Sequence, residues 1–172
     1  NKKSLIPNKI LHIASNNLKM SSLHNLDWSD YERIINIQVR SMFTILKNFL
    51  PIMKKKKSGK IVAILSSVVY GAPPGSMSQY VTAKYALQGL LRSAASEFSK
   101  YQININSISP GMMRTDFLSE LPDKILEINH QKVPFGRNVE IKDLLPIIDL
   151  LLTDKSKFIT GIDIPVTGGL NY

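Results

Sequence analysis

The sequence contains no cysteine. That excludes a disulfide framework and thiolate chemistry. With only three scattered histidines besides, no zinc cluster is expected, and no metal site of any kind. Long apolar runs are missing too. The strongest, Leu144 to Leu152, is broken by Asp149 and is far too short to span a bilayer. The first ten residues, NKKSLIPNKI, carry three lysines but no apolar h-region, so they are not read as a signal peptide. No internal repeat and no low-complexity linker interrupts the chain. What is there is ordinary for a globular protein: 172 residues, 44% hydrophobic and 20% charged. Those values fit one domain with a sizeable core and exclude disorder and collagen-like repeats. The expectation is a cytoplasmic α/β domain with no membrane partner.

The net charge is +9, and part of it is one run, Lys54 to Lys57. Such a run can mark a nucleic-acid surface. This one follows a helical pattern and precedes Ser58-Gly59, so it reads instead as the solvated end of a helix, where cations meet the negative end of the dipole. No aromatic-interleaved basic motif accompanies it, and no nucleic-acid partner is expected.

Four apolar segments read as strands: 10–14, 60–65, 103–108 and 162–166. The second, KIVAIL, is almost continuously apolar, as a strand covered on both faces should be. Helical spacing fills the gaps. Tyr31 to Met53 places Ile34, Ile37, Phe43, Leu46 and Leu50 on or near one stripe. Gln79 to Phe98 does the same with Ala83, Leu87, Leu90, Leu91, Ala94, Ala95 and Phe98, and Ile141 to Leu152 forms a third helix. Alternation of this kind predicts a parallel sheet with right-handed crossovers. The small residues of the middle helix, with Gly89 among them, read as a face made for close packing; high helix propensity is the plainer explanation for its alanines.

The chemistry is concentrated around the second strand. It ends in Ser66-Ser67, and the carboxyl ends of parallel strands line the ligand crevice. Thirteen residues after Ser67 comes Tyr80, then Lys84 at i+4 on the same helix face. The loop between holds Pro73, Pro74 and two glycines, so the helix start can fold back over the strand end. A Ser hydroxyl, a phenol and an ammonium would then converge. A nearby cation draws a phenol down from its usual pKa near 10, which makes it a usable acid or base. That set suits proton exchange at a carbonyl or alcohol oxygen while a cofactor exchanges hydride at carbon. A lone Tyr-x-x-x-Lys pair also arises often on ordinary surface helices.

Several stretches together resemble the short-chain dehydrogenase/reductases. They are Ser67, YVTAK at Tyr80 to Lys84, SPGMMRTDF at Ser109 to Phe117, PFGR at Pro134 to Arg137, FITG at Phe158 to Gly161 and IPVTGG at Ile164 to Gly169. Within that family the likeness leans towards 3-oxoacyl-carrier-protein reductases. The resemblance implies a Rossmann-type doubly wound parallel sheet, of which this chain carries the C-terminal part. It implies NAD or NADP as cofactor, a small-molecule or carrier-bound carbonyl substrate, and a homodimer or homotetramer. Tyr80 becomes the general acid/base. Lys84 holds the nicotinamide ribose and tunes the phenol. Ser67 binds the reacting oxygen, with Ser66 as the alternative. Ala14, Pro110, Gly111, Met113 and Thr115 join Tyr80 and Lys84 along the cofactor; an ordinary turn is the plainer reading of Pro110-Gly111.

The sequence also departs from the family pattern. The family opens with a glycine-rich turn that lets a helix N-terminus meet the pyrophosphate. No such turn occurs in the 172 residues, and Met77 stands where a third glycine would follow Gly71 and Gly75. The expectation is one domain, residues 1–172, that lacks this N-terminal segment, and a chain that is one piece of a longer protein. A remnant that keeps the fold and its dimer helices but binds no cofactor is the alternative. The family's Asn-Asn-Ala-Gly becomes His12-Ile13-Ala14-Ser15, with His12 read as a satisfied core histidine. The family's helix asparagine falls on Gln38 by spacing, with Asn36 two residues earlier. Phe117, Leu118 and Leu121 read as an apolar lid or a packed loop helix. No Gly-x-Ser-x-Gly elbow is present, which weighs against a serine hydrolase.

Overall fold

A computed structural model describes residues 7–115, 118 and 123–170. Its one sheet runs β1 (Lys9–His12), β2 (Gly59–Ile64), β3 (Ile103–Pro110) and β4 (Asp163–Val166), in that spatial order, and every neighbouring pair is parallel. The four strands found are the four expected, with shifted ends. β1 stops at His12, short of Ala14. β3 runs on to Pro110 because β4 pairs with it that far, Pro110 opposite Val166.

The helices are α1 (Trp28–Ile35), α2 (Ser41–Lys56), α3 (Ser78–Phe98), α4 (Asp123–Lys132) and α5 (Ile141–Leu152). The single helix expected over 31–53 is two, joined by a π-helical turn, Asn36–Arg40. The spacing of its buried residues explains the turn. Ile34, Gln38, Met42, Leu46 and Leu50 are all buried, each four residues after the last. Four residues of α-helix overshoot a full turn by about 40°, so such a row drifts off one face. A wider π turn takes up part of the drift. It also shifts the phase, so Met42 is buried and Phe43 is 52% exposed, contrary to the expected stripe.

Helices α2 and α3 cover one face of the sheet. Met42, Leu46, Leu50, Leu87 and Leu91 pack there on Ile61, Ala63, Ile103 and Ile105. On the opposite face, Leu144 and Leu151 of α5 and Val139 pack on Val62 and Ile108. β2 and β3 are therefore buried from both sides, as the continuous apolar run of β2 requires. β1 is an edge strand of the chain, with Leu11 and Ile13 beside it exposed.

α2 ends where expected. Lys57 adopts the left-handed conformation, and Ser58 N–H donates to the Met53 carbonyl. Gly59 then passes so close to Met53 that an added Cβ would lie 2.5 Å from its sulfur. The lysine run is solvent-exposed, with Lys54 Nζ 4.6 Å from the centre of the Tyr101 ring. On α3, Ala83, Ala94 and Ala95 are buried, but Gly89 is exposed and a Cβ there would touch nothing. Packing within the chain does not require that glycine, so the close approach expected along the whole helix is confined to its alanine side.

Candidate active site

The carboxyl ends of β2 and β3 and the start of α3 meet at one point. After Ile64, Leu65 N–H still bonds the Ile108 carbonyl. The chain then turns: Ser66 caps a short 3₁₀ turn, Ser67–Val69, its hydroxyl accepting from Val68 N–H at 3.4 Å. The proline-containing loop returns the chain to α3, which begins at Ser78. Its first turn is fastened from α1 and from the connection between β1 and α1. Tyr31 donates to Ser78 Oγ at 2.8 Å, and Gln79 Nε2 to the Lys19 carbonyl at 2.6 Å.

Tyr80 and Lys84 lie on the buried face of α3, 5% and 3% exposed. Lys84 Nζ donates to the Ile64 carbonyl at 3.0 Å and stands 5.5 Å from the Tyr80 ring centre. The phenol is hydrogen-bonded by the Ser66 hydroxyl. Ser67 is half-buried one residue on. The structure brings the Tyr80 phenol, the Lys84 ammonium and the Ser66 hydroxyl together, whereas Ser67, the serine expected first, lies one residue further along the chain. The reason is local: Ser66 is the extended residue that caps the turn, and Ser67 is already inside it.

The electrostatics differ from the expectation that Lys84 draws the phenol down. Burial pushes the Tyr80 hydroxyl up to about 12, against a smaller opposite effect of the Ser66 bond. Burial also pushes Lys84 down to about 8. Burial thus dominates both groups, favouring the neutral phenol and the neutral amine.

Gln38 is completely buried. Its Nε2 donates to Ser15 Oγ at 3.2 Å, while its Oε1 is buried with no partner among the described residues. Asn36, the alternative, is half-buried and accepts from Arg40 on its own helix. The π turn thus aims Gln38, not Asn36, inward. His12, beneath the same helix, bonds Ser41 Oγ through Nε2 at 2.8 Å, but its Nδ1 is buried with no partner among the described residues. The expected satisfied core histidine is satisfied on one nitrogen only. Burial, and then the charge of Lys84, lower its pKa.

Beyond β3 the chain runs Pro110-Gly111-Met112-Met113. Pro110 is buried, and Gly111 N–H bonds the Val166 carbonyl at 2.9 Å. A Cβ on Gly111 would lie 3.2 Å from Val139 and 3.5 Å from the Thr167 backbone, so the glycine serves close approach rather than a bare turn. Met113 pairs with Val139, and the Thr115 carbonyl accepts from Leu118 N–H. Ala14 is exposed just beyond β1, beside Ser15. Leu118 is buried in the cluster that holds Tyr80, Met77 and Leu126. Phe117 and Leu121 lie outside the described residues.

One group of residues has no place in the expected set. Asp163 Oδ2 accepts from Tyr70 at 2.8 Å, from Ser109 at 2.8 Å and from Gln88 at 3.3 Å. A sequence signal existed for part of it: Gln88 repeats the four-residue step from Tyr80 to Lys84. Among the described residues, no cluster of His, Cys, Asp or Glu side chains is arranged to hold a metal. Among them too, no helix is long and apolar enough to cross a membrane.

A family profile described as enoyl-(acyl carrier protein) reductase matches residues 9–171. The chain belongs to the short-chain dehydrogenase/reductases. It is 30% identical over 142 residues to a 3-oxoacyl-(acyl-carrier-protein) reductase of Thermotoga maritima, covering 82% of this chain and 57% of that protein. With the enzyme of the same name from Staphylococcus aureus it shares 31% over 158 residues, covering 92% and 62%. A 3alpha-hydroxysteroid dehydrogenase of Mediterraneibacter gnavus is 30% identical over 149 residues, covering 86% and 59%. The chain thus spans about three fifths of the length of these relatives. Among solved structures, levodione reductase superposes with a TM-score of 0.87 at 27% identity, covering 94% of this chain and 66% of that one. A 3-oxoacyl-(acyl-carrier protein) reductase of Brucella melitensis with bound NAD shares the fold at a TM-score of 0.88 and 21% identity, covering 96% and 63%.

Proposed function

We propose that this chain is the reaction-bearing part of an oxidoreductase that exchanges hydride between NAD or NADP and a carbonyl/alcohol pair. The observation that supports this reading is the meeting of Tyr80, Ser66 and Lys84 at the carboxyl end of β2, with Ser67 next in the chain. Bound nicotinamide would supply or take the hydride. Everything else falls to side chains of this chain. Tyr80 gives the reacting oxygen its proton, or takes it. Ser67, whose hydroxyl is not the one on the phenol, binds that oxygen; Ser66 fixes the phenol. Lys84 holds the ribose and carries the proton onward towards Gln38, whose buried Oε1 would hold a water. Gly111 lets the chain pack closely on Val139 and Thr167, the backbone of Pro110 to Thr115 would run past the nicotinamide end, and Ala14 borders the site beyond β1.

The fit concerns one end of the cofactor only: the described residues supply groups for the nicotinamide riboside and no glycine-rich turn for the phosphates. The named relatives favour a 3-oxoacyl thioester on an acyl carrier as substrate. A cytoplasmic homodimer or homotetramer completes the reading.

The test is turnover by the full-length gene product. With NADH or NADPH it should reduce a 3-oxoacyl thioester or a simple ketone; no reduction of either with either nucleotide contradicts the reading. A second reading is a family member that keeps the fold but binds no cofactor. Calorimetry separates the two. The full-length protein should bind one of the nucleotides at micromolar concentration, and the 172-residue chain far more weakly.

A further inference from the structure

The geometry points to Asp163 as a positioning residue that clamps together the three segments carrying the proposed chemistry. Its Oδ2 accepts three hydrogen bonds, and each donor stands on a different segment. Tyr70 closes the 3₁₀ turn that holds Ser67, its own N–H bonding the Ser67 carbonyl at 3.0 Å. Ser109 is fully buried and directly precedes Pro110-Gly111. Gln88 sits one helical step beyond Lys84 and two beyond Tyr80 on α3. A second Tyr70 contact, to the Asp163 carbonyl at 3.3 Å, seats the same ring on β4. The inference rests on the proposed function, but the clamp is a property of the fold.

An acceptor-only group is what this place needs. Tyr, Ser and Gln here all donate, and a carboxylate accepts without competing. Bonds to a charged acceptor are also stronger than neutral ones. Asp163 Oδ1 is buried with no hydrogen-bond partner among the described residues, so the hydrogen bonds gather on one oxygen. That cost is consistent with a residue kept for geometry rather than for stability alone. β4 lies beside the site, not in it, and Asp163 acts on the reaction through the residues it holds.

The test uses the full-length gene product with Asp163→Ala, Asp163→Asn and Tyr70→Phe. In Asp163→Ala, amide exchange should quicken about tenfold in both 66–72 and 107–113, while β1 and α2 keep their rates. kcat should fall about 10²-fold with KM little changed. Asp163→Asn keeps one oxygen to accept the same donors and should restore part of both effects. Tyr70→Phe should loosen 66–72 and leave 107–113 alone. Uniform loosening of the whole sheet, or loosening confined to β4, overturns the clamp, as does an unchanged kcat. If Asp163→Ala does not fold, the other two variants carry the same contrast. If the wild-type protein turns nothing over, the proposed function fails, and the exchange pattern still decides the clamp.

Discussion

Lys84 is tied to the last residue of β2: its ammonium donates to the Ile64 carbonyl at 3.0 Å, a bond from the buried face of α3, near its start, to the strand end two residues before Ser66. It makes one buried lysine a structural tether and a candidate catalytic group at once, and the two roles respond differently to pH.

Burial has pushed Lys84 down to about 8 from its ordinary 10.5. Between those values the unfolded chain holds a proton that the folded chain has released, so this group makes stability rise with pH across that window. Below pH 8 the cost of burying the charge is present in full. Tyr80, raised to about 12 from 10, acts the other way: above pH 10 the unfolded chain has lost a proton that the folded one keeps, and stability falls. Denaturant unfolding at pH 7.5 and 9.5 should therefore show wild type gaining on Lys84→Met as the pH rises. A constant difference between the two proteins contradicts the buried, depressed ammonium.

The two serines are separable. Ser66 bonds the phenol and caps the turn, so Ser66→Ala should cost about 1 kcal/mol of stability, the usual loss for a cap, and reduce kcat modestly. Ser67→Ala should leave stability within about 0.5 kcal/mol and reduce kcat about 10²-fold or more, as removal of a donor to a developing oxyanion does. Thermal unfolding and steady-state kinetics on both variants check this. Reversed effects would move the substrate-binding role to Ser66.

Phe43 and Tyr85 stand 52% and 43% exposed on α2 and α3, and Gly89 has open space above it. A second copy of the chain packing these helices across a two-fold axis would cover them, in a self-complementary interface of at least about 1,000 Å². Light scattering at micromolar concentration should report a dimer or tetramer, and Gly89→Glu a folded monomer whose unfolding midpoint no longer depends on protein concentration. A monomeric wild type contradicts this assembly.

Much of this was legible in the sequence, and the residues show why the rest was not. The four strands could be read because continuous apolar runs alternate with helical stripes, and Tyr80 and Lys84 because i, i+4 spacing fixes their common face. The π turn escaped because a row of buried residues every four positions looks like a plain helix until the drift must be absorbed. Phe43 was misplaced for that reason, while spacing alone had already put Gln38 at the family's amide position. The phenol's direction of shift was missed because proximity to a cation is visible in spacing, whereas the degree of burial that overrides it is not. Asp163 was invisible because its three donors lie 54 to 93 residues away along the chain, and only the register of β3 with β4 brings them together.

The central claim is that the Tyr80 phenol carries the proton while other groups hold the nucleotide, and one variant tests it directly. Tyr80→Phe removes a single oxygen from a buried ring. In the full-length gene product, nucleotide affinity should stay within about threefold of wild type while kcat for carbonyl reduction falls about 10³-fold, within the range that general acid catalysis supplies. Wild-type kcat in Tyr80→Phe, with any carbonyl substrate the native protein reduces, would contradict the account.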